Sequence, residues 1–552
     1  MSSKLYKDNK DWLVQIVGFK SGWLIVSFVA ILWFGSFMAI KGLSDFPLND
    51  DWVHAISVKH LIDTGEFTLI DYCGSTIITQ VLWGVIFCSA GFSFSALRLS
   101  VVVLGFIGLW TIKEIGEKLH LSVKYTGVIV LTLFSNPLYY TLSGTFMTDI
   151  PFLVVSLLVV FFFIKAVKNE SVWNFIFVCI FSILATLIRQ IGLLLPLVLL
   201  AAFCVRKPFN LKLLIYSIAS VVVVFLLLEV YLFYLKTNDI LPSYFSGSEV
   251  IINNLLSGQI IKNLIKVFVY FSLYVGLFSL PVCLMYIRKE LFRKHRIFVL
   301  MSVICSSVLI FLIYSGIITF PLGNVVNDIY IGPLTFLDTF WQGENLPAKM
   351  HWLGVGFVLF LTQFGFIMYV LLLWDKIKSV RLNEVLIVER IQIGLCVFGV
   401  IYIAFLALAN TLFERYFLPS IVVGFFVIIP KNRLELQGNF RLLISLSLIL
   451  LSGSFSLLGH KTYLEVNEAR WKAANSLIDK GVSAENIDGG YEFNGWCNYN
   501  DQLSEEVKWW VKDVEYAITC GELSGADVIN EIPYYDWINQ EEKTIKILHL
   551  KE

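Results

Sequence analysis

The sequence has little charge. Aspartate, glutamate, lysine and arginine make up 15% of its 552 residues, where soluble domains carry about a quarter. With 57% hydrophobic residues and a mean hydropathy of +0.76, this excludes a globular enzyme on one anchor and indicates a polytopic membrane protein. No P-loop, G-x-S-x-G, H-E-x-x-H or C-x-x-C pattern occurs, which argues against a standard ATPase, serine hydrolase or zinc protease. Net charge is zero, so nothing in the balance calls for a nucleic-acid partner. Internal repeats and low-complexity tracts are missing. Lys4, Lys7, Lys10 and Lys20 precede the first apolar stretch, but no small-residue cleavage site follows it, so that helix is expected to stay. Cysteines lie mostly in apolar runs and read as small buried hydrophobes. Cys497 and Cys520 alone share a polar region, where both a disulfide and two thiols stay open.

Apolar runs of spanning length recur along most of the chain. They read as about 13 crossings: 23–40, 96–112, 125–142, 150–164, 172–188, 191–205, 211–235, 264–287, 297–320, 352–374, 391–409, 416–429 and 442–458. A further run, 77–90, is short and carries Gln80; it is expected to lie at the interface. Basic clusters separate alternate pairs of spans, among them Lys113/Lys118/Lys124, Lys165/Lys168, Arg206/Lys207/Lys212, Arg288–Arg296, Lys376/Lys378/Arg381/Arg390 and Lys431/Arg433/Arg441. The positive-inside rule places them in the cytoplasm, and the odd count then puts the C-terminal tail outside.

The outer loops gather the acids. The first holds Asp45, Asp50, Asp51, Asp63, Glu66 and Asp71. The segment from Asp51 has helical apolar spacing and is expected to lie flat on the membrane, with Trp52 at the interface and His54 and His60 on the surface. A long outer loop runs from Pro321 to His351 and holds Asn324, Asn327, Asp328 and Asp338. From about His460 the composition turns polar. An amphipathic helix at Glu465–Lys480 and short strands near Asn486–Tyr491, Tyr516–Cys520 and Thr544–Leu550 predict a small α/β domain. The expected organisation is a membrane domain over 1–459 and a soluble extracytoplasmic domain over 460–552.

Charge next to hydrocarbon is costly without a wet cavity, a counter-charge or a function. Asp50 and Asp51 follow the first span directly. They read either as a general base with a second acid or as the N-cap of the next helix. Asp149 lies in the second outer loop, followed by Ile150 and Pro151. It is a cap or, with Asp50 or Asp51, part of an oxygen-rich divalent-cation site. Arg189 occupies a very short outer turn; it either snorkels or offers a guanidinium fork to a phosphate. Arg415, between Glu414 and Tyr416, reads as an ion-pair partner of Glu414 or a second phosphate contact.

An acid pair before an amphipathic helix, Asp149-Ile-Pro, the Arg189 turn and the later Arg415-Tyr416 together resemble the GT-C superfamily of glycosyltransferases. The likeness is to its protein O-mannosyltransferase and lipid A aminoarabinose transferase branch. The resemblance implies an all-α polytopic membrane fold with an α/β C-terminal domain, sited in a bacterial cytoplasmic membrane with its chemistry outside. It implies a polyprenyl-phosphate sugar as donor and a glycan, lipid or protein hydroxyl as acceptor. Asp50 matches the catalytic acid of that family, and Asp51 stands where Glu is usual. Asp149 matches the second-loop acid associated with a metal, and Arg189 and Arg415 would meet the donor phosphate. Many relatives carry a Lys-Pro-Pro after the first interfacial helix. Here the region from Cys73 to Gln80 has no lysine, so phosphate contact must come from elsewhere. Two rivals belong to other classes: a transporter or lipid flippase, and a glycan polymerase or ligase of another fold. The missing repeats and the outer-loop placement of the acids count against the first.

Overall fold

A computed structural model describes residues 23–243, 258–286, 297–327, 330–332, 352–380, 385–409, 412–429, 439–500, 510–511, 513–521 and 523–550, with 245, 254 and 256. The N-terminal lysines, the cluster at Arg288–Arg296, Arg381, Lys431, Arg433, Asp328 and Asp338 lie outside the described residues.

Helices fill the expected apolar runs. Among the described residues seven are long and apolar enough to cross a membrane: Phe94–Lys118, Asp149–Asn169, Leu211–Thr237, Ile260–Tyr286, Leu353–Lys378, Ile387–Ala409 and Phe440–Ile478. The chain is an integral membrane protein. Trp23–Ala39, Val123–Phe134, Val172–Thr186, Gln190–Cys204 and Val299–Tyr314 are shorter, as is Leu418–Val427, so length alone does not carry the count of thirteen. The Ile78–Phe87 helix has 10 residues, about 15 Å, half the thickness of a bilayer core. The expected 125–142 span breaks at Asn136, whose side chain accepts from the N–H groups of Leu138 and Tyr139 and caps a separate short helix, Pro137–Ser143. At the Ile260–Tyr286 and Trp352–Ser379 contact the backbones touch at Gly276 and Gly365, where a Cβ would collide with the partner's carbonyl. Small residues let membrane helices approach this closely.

One helix, Asp149–Asn169, joins two charged ends of the bundle about 30 Å apart. At its far end Glu170 receives Arg206 on both oxygens, at 2.6 and 2.9 Å, and Arg390 lies 3.7 Å away. There too Lys168 donates to the Lys118 carbonyl. These basic residues were expected on one side of the membrane, and the fold gathers them at one end.

The C-terminal region departs from expectation in three ways. The expected helix at Glu465–Lys480 is not separate: a single 40-residue helix, Asn439–Ile478, about 60 Å long, runs through the boundary at 459/460. The sheet has four strands in the order Ile487–Asp488, Tyr516–Thr519, Glu541–His549, Asp527–Asp536. The last is an unforeseen edge strand. An unforeseen helix, Tyr491–Asn498, follows the first strand. No disulfide joins Cys497 to Cys520.

This domain covers the first half of the Asp51–Thr64 helix, so Trp52 and His54 are not at the surface as expected. Trp52 is fully buried, with its ring centroid 5.1 Å from Trp510, 5.4 Å from Tyr499 and 5.8 Å from Tyr491 and Tyr72. His54 is buried as well. Protein roofs the helix over Asp51–Val58, while Lys59, Asp63 and Thr64 stay exposed.

Candidate active site

Three acids of the loop after the first helix have structural partners. Asp45 accepts from Ser93 and the Ser95 N–H at the start of the Phe94–Lys118 helix. Asp63 pairs with Lys59, and Asp71 accepts from the Ser243 N–H and hydroxyl. Arg98, fully buried, donates to the Ser44 and Phe46 carbonyls and pins the chain leading to Asp50.

Asp50 differs from these. Its Oδ2 accepts from Arg415 at 3.0 Å and its Oδ1 from the Tyr491 hydroxyl at 2.8 Å. Asp149 opens its helix and accepts from Arg189 at 2.8 Å. Arg415 Nε stands 3.8 Å from the other Asp149 oxygen. Neither that Nε nor Asp149 Oδ2 has a hydrogen-bond partner. Both guanidiniums lie on the Tyr416 ring, Arg189 at 4.6 Å and Arg415 at 5.5 Å from its centroid. Asp50, Asp149, Arg189 and Arg415, named above from four separate segments, therefore meet in one cluster. Exposure is graded: the Asp50 side chain is 28% accessible, Arg189 12%, Arg415 6% and Asp149 2%. The acid on the rim is open to an incoming group, and the guanidiniums lie deeper.

Asp51 is turned away from this cluster. It is fully buried and accepts from the Phe146 N–H at 2.7 Å and the Leu48 N–H at 3.3 Å. The Phe146 carbonyl accepts from Gln80 at 2.6 Å and lies 3.3 Å from His54 Nδ1, which therefore carries the proton. Phe146 is thus gripped through both its N–H and its carbonyl, three residues before Asp149. Asp51 fixes one loop against the other, which explains an acid pair in which only one member faces the cluster.

The surroundings set the charge states. Burial by itself would raise the Asp50 carboxyl, but the Arg415 charge and the Tyr491 hydrogen bond outweigh it and hold the group below the usual carboxylate range. Asp50 is ionised at neutral pH. Burial pushes Asp51 up to about 7, opposed by Arg98 and the two backbone donors. Burial pushes His54 down to about 4, so it stays neutral.

The expected Glu414–Arg415 pair does not form. Glu414 accepts instead from the N–H groups of Asn324, Val325 and Val326 at 3.0, 2.5 and 3.1 Å. It holds the start of the loop after Pro321 and leaves Arg415 to the two aspartates. The lysine-free segment at Cys73–Gln80 supports the Arg189 turn: Ile77 and Thr79 donate N–H groups to the Ile188 and Leu187 carbonyls.

The divalent-cation expectation does not fit this donor set. Asp149 faces two guanidiniums, and Asp50 is held by one of them and a tyrosine. A dication placed there would sit against two fixed positive charges. Among the described residues no group of three His, Cys, Asp or Glu side chains converges as a metal cage. Tyr491 was missed in the sequence; it comes from the opposite end of the chain, and no local pattern marks it.

No family model matches the sequence, and no curated protein matches it. Among solved structures, ArnT from Cupriavidus metallidurans in the apo state is similar, with 14% identity over 98% of each chain and a TM-score of 0.44. The same protein bound to undecaprenyl phosphate gives 13% identity over 96% of this chain and 98% of that one, with a TM-score of 0.43. The archaeal oligosaccharyltransferase AglB from Archaeoglobus fulgidus, in complex with an inhibitory peptide and a dolichol-phosphate, gives 10% identity and a TM-score of 0.43. That match covers 85% of this chain and 60% of AglB.

Proposed function

We propose that this chain is a GT-C type membrane glycosyltransferase that moves a sugar from a polyprenyl-phosphate donor to an acceptor hydroxyl on the extracytoplasmic face. The observation that carries the reading is the convergence of one rim carboxylate, Asp50, with two deeper guanidiniums, Arg189 and Arg415, around Asp149. Among the described residues no zinc ligand set converges there. A base beside a pair of forked cations suits displacement at a carbon whose leaving group is a phosphate.

Asp50 takes the proton of the acceptor hydroxyl. Two of its roughly four lone-pair sites are engaged, leaving acceptor capacity for that proton. The acceptor oxygen attacks the anomeric carbon as the bond to the phosphate oxygen breaks. The departing polyprenyl phosphate gains charge, and Arg189 and Arg415 stabilise it, with remaining N–H groups such as the unpaired Arg415 Nε. A single displacement inverts the anomeric centre. Asp149 orients both guanidiniums, and Asp51 holds the two loops in register. The positive-inside rule sets the face, opposite the Glu170 end.

The test is release of free polyprenyl phosphate by purified protein offered a panel of polyprenyl-phosphate sugars together with glycan, lipid and peptide hydroxyl acceptors. Wild type is expected to release it with at least one donor and Asp50→Asn with none. Equal release by both proteins would sink the assignment of Asp50.

A further inference from the structure

We propose that the C-terminal domain completes the catalytic site, and that Tyr491 is a positioning residue for Asp50. The inference rests on the reading above for what Asp50 does, and it adds a part in the reaction for a domain to which the sequence assigned none.

Two consecutive residues of the domain hold two consecutive residues of the first loop. The Tyr491 hydroxyl donates to Asp50 Oδ1 at 2.8 Å, and Glu492 Oε1 accepts from the Asn49 N–H at 3.1 Å. Asn49 sits in the left-handed region, φ 54°, which Asn tolerates better than most residues. The contacts span more than 440 residues of sequence, so nothing but the fold brings them together. The clamp is itself braced. Gly490 lies at φ 88° and a Cβ there would strike the Arg470 guanidinium, and Gly495 lies against the Trp52 indole. Asp488 accepts from the Gly490 N–H and the Asn494 side chain. The Gly489-Gly490 pair thus allows the Tyr491–Asn498 helix to start where its first side chain meets Asp50.

A tyrosine bonded to one carboxylate oxygen, with Arg415 on the other, removes the rotational freedom of the base. Among the described residues, the titratable and charged groups that interact with Asp50 include Arg415, Tyr491, His54, Asp51 and Cys73. Of these only Arg415 and Tyr491 donate to its oxygens. Burial and the Asp50 charge keep Tyr491 protonated, well above the usual tyrosine range, so it remains a donor.

The experiment compares wild type, Tyr491→Phe and, as a control in the same domain, Tyr534→Phe, all as full-length protein. The Phe variant keeps the ring that packs beside Trp52. Carbodiimide labelling of Asp50, followed by mass spectrometry against pH, reads the protonated carboxyl without any substrate. Loss of the donor is expected to move the labelling midpoint up by about one pH unit in Tyr491→Phe and not in Tyr534→Phe. The acidic limb of kcat/KM should move the same way, with a fall of about tenfold in kcat and little change in donor KM. An unmoved midpoint overturns the proposal. A moved midpoint in a protein that turns over no donor supports the clamp and defeats the glycosyltransferase reading instead.

Discussion

The two ends of the Asp149–Asn169 helix carry similar charges in different arrangements. At one end Glu170, partly exposed, is bonded on both oxygens by Arg206, with Arg390 Nη1 3.7 Å away. At the other, Asp149 is nearly inaccessible and bonded on one oxygen, with Arg415 Nε facing the second at 3.8 Å and neither atom paired. A satisfied, partly exposed pair is what helix ends use for orientation and modest stability. Each end holds an unpartnered buried nitrogen, Arg390 Nη1 at one and Arg415 Nε at the other, but only at the Asp149 end is a carboxylate oxygen buried without a partner, which is costly in a native protein and usually retained where another group completes it. The comparison supports a structural role for the Glu170 cluster and the proposed chemistry for the Asp149 cluster, although the residue types match.

The largest expected effect separates the two ends by turnover. Asp50→Asn should lower kcat by about 100- to 10,000-fold, while membrane insertion and helix content, followed by circular dichroism, stay as in wild type. Next, Arg415→Gln removes the partner of Asp50 and the nearest charge to the open Asp149 oxygen. Turnover should fall by about 100- to 1,000-fold, and the acidic limb of the rate profile should move to higher pH as Asp50 loses its main counter-charge. Asp51→Asn is expected to act on stability more than on rate. In the folded protein Asp51 is raised to about 7, above its unfolded value. The stability it contributes is therefore fully present below about pH 4 and is lost as pH rises through about 7. Thermal melts of Asp51→Asn should lack that decline. The smallest effect belongs to the opposite end. Arg206→Gln opens the Glu170 pair and should change stability by no more than about 1 kcal/mol, with turnover within about twofold of wild type. A collapse of activity in Arg206→Gln would erase the distinction.

Several of these features were legible in the sequence for physical reasons. Hydropathy located the helices because a bilayer core admits little else. Asp50, Asp149, Arg189 and Arg415 stood out because each is a charge at the end of an apolar run. What stayed hidden depends on distant partners. Asp51 looks equivalent to Asp50 along the chain, and only the Phe146 peptide tells them apart. Trp52 reads as an interfacial anchor until a domain more than four hundred residues later closes over it. All-round apolar character ends at His460, where the sequence reading divides the chain, but the Asn439–Ile478 helix continues on one apolar face, Val466, Ala469, Ala473 and Leu477, packed on the sheet. The unforeseen Asp527–Asp536 strand carries Pro533, which a central strand would not accommodate; it lies on the sheet edge, where proline is tolerated.

The central claim is that Arg189 and Arg415 form a phosphate site beside a base. It is tested most directly by binding of polyprenyl phosphate and of the matching polyprenol, measured by native mass spectrometry on wild type and on Arg189→Gln/Arg415→Gln. The account predicts that wild type retains the phosphate form at least about tenfold more strongly, the contribution of one or more charge-assisted hydrogen bonds, and that the double variant loses the preference. Equal retention of alcohol and phosphate by wild type would contradict it.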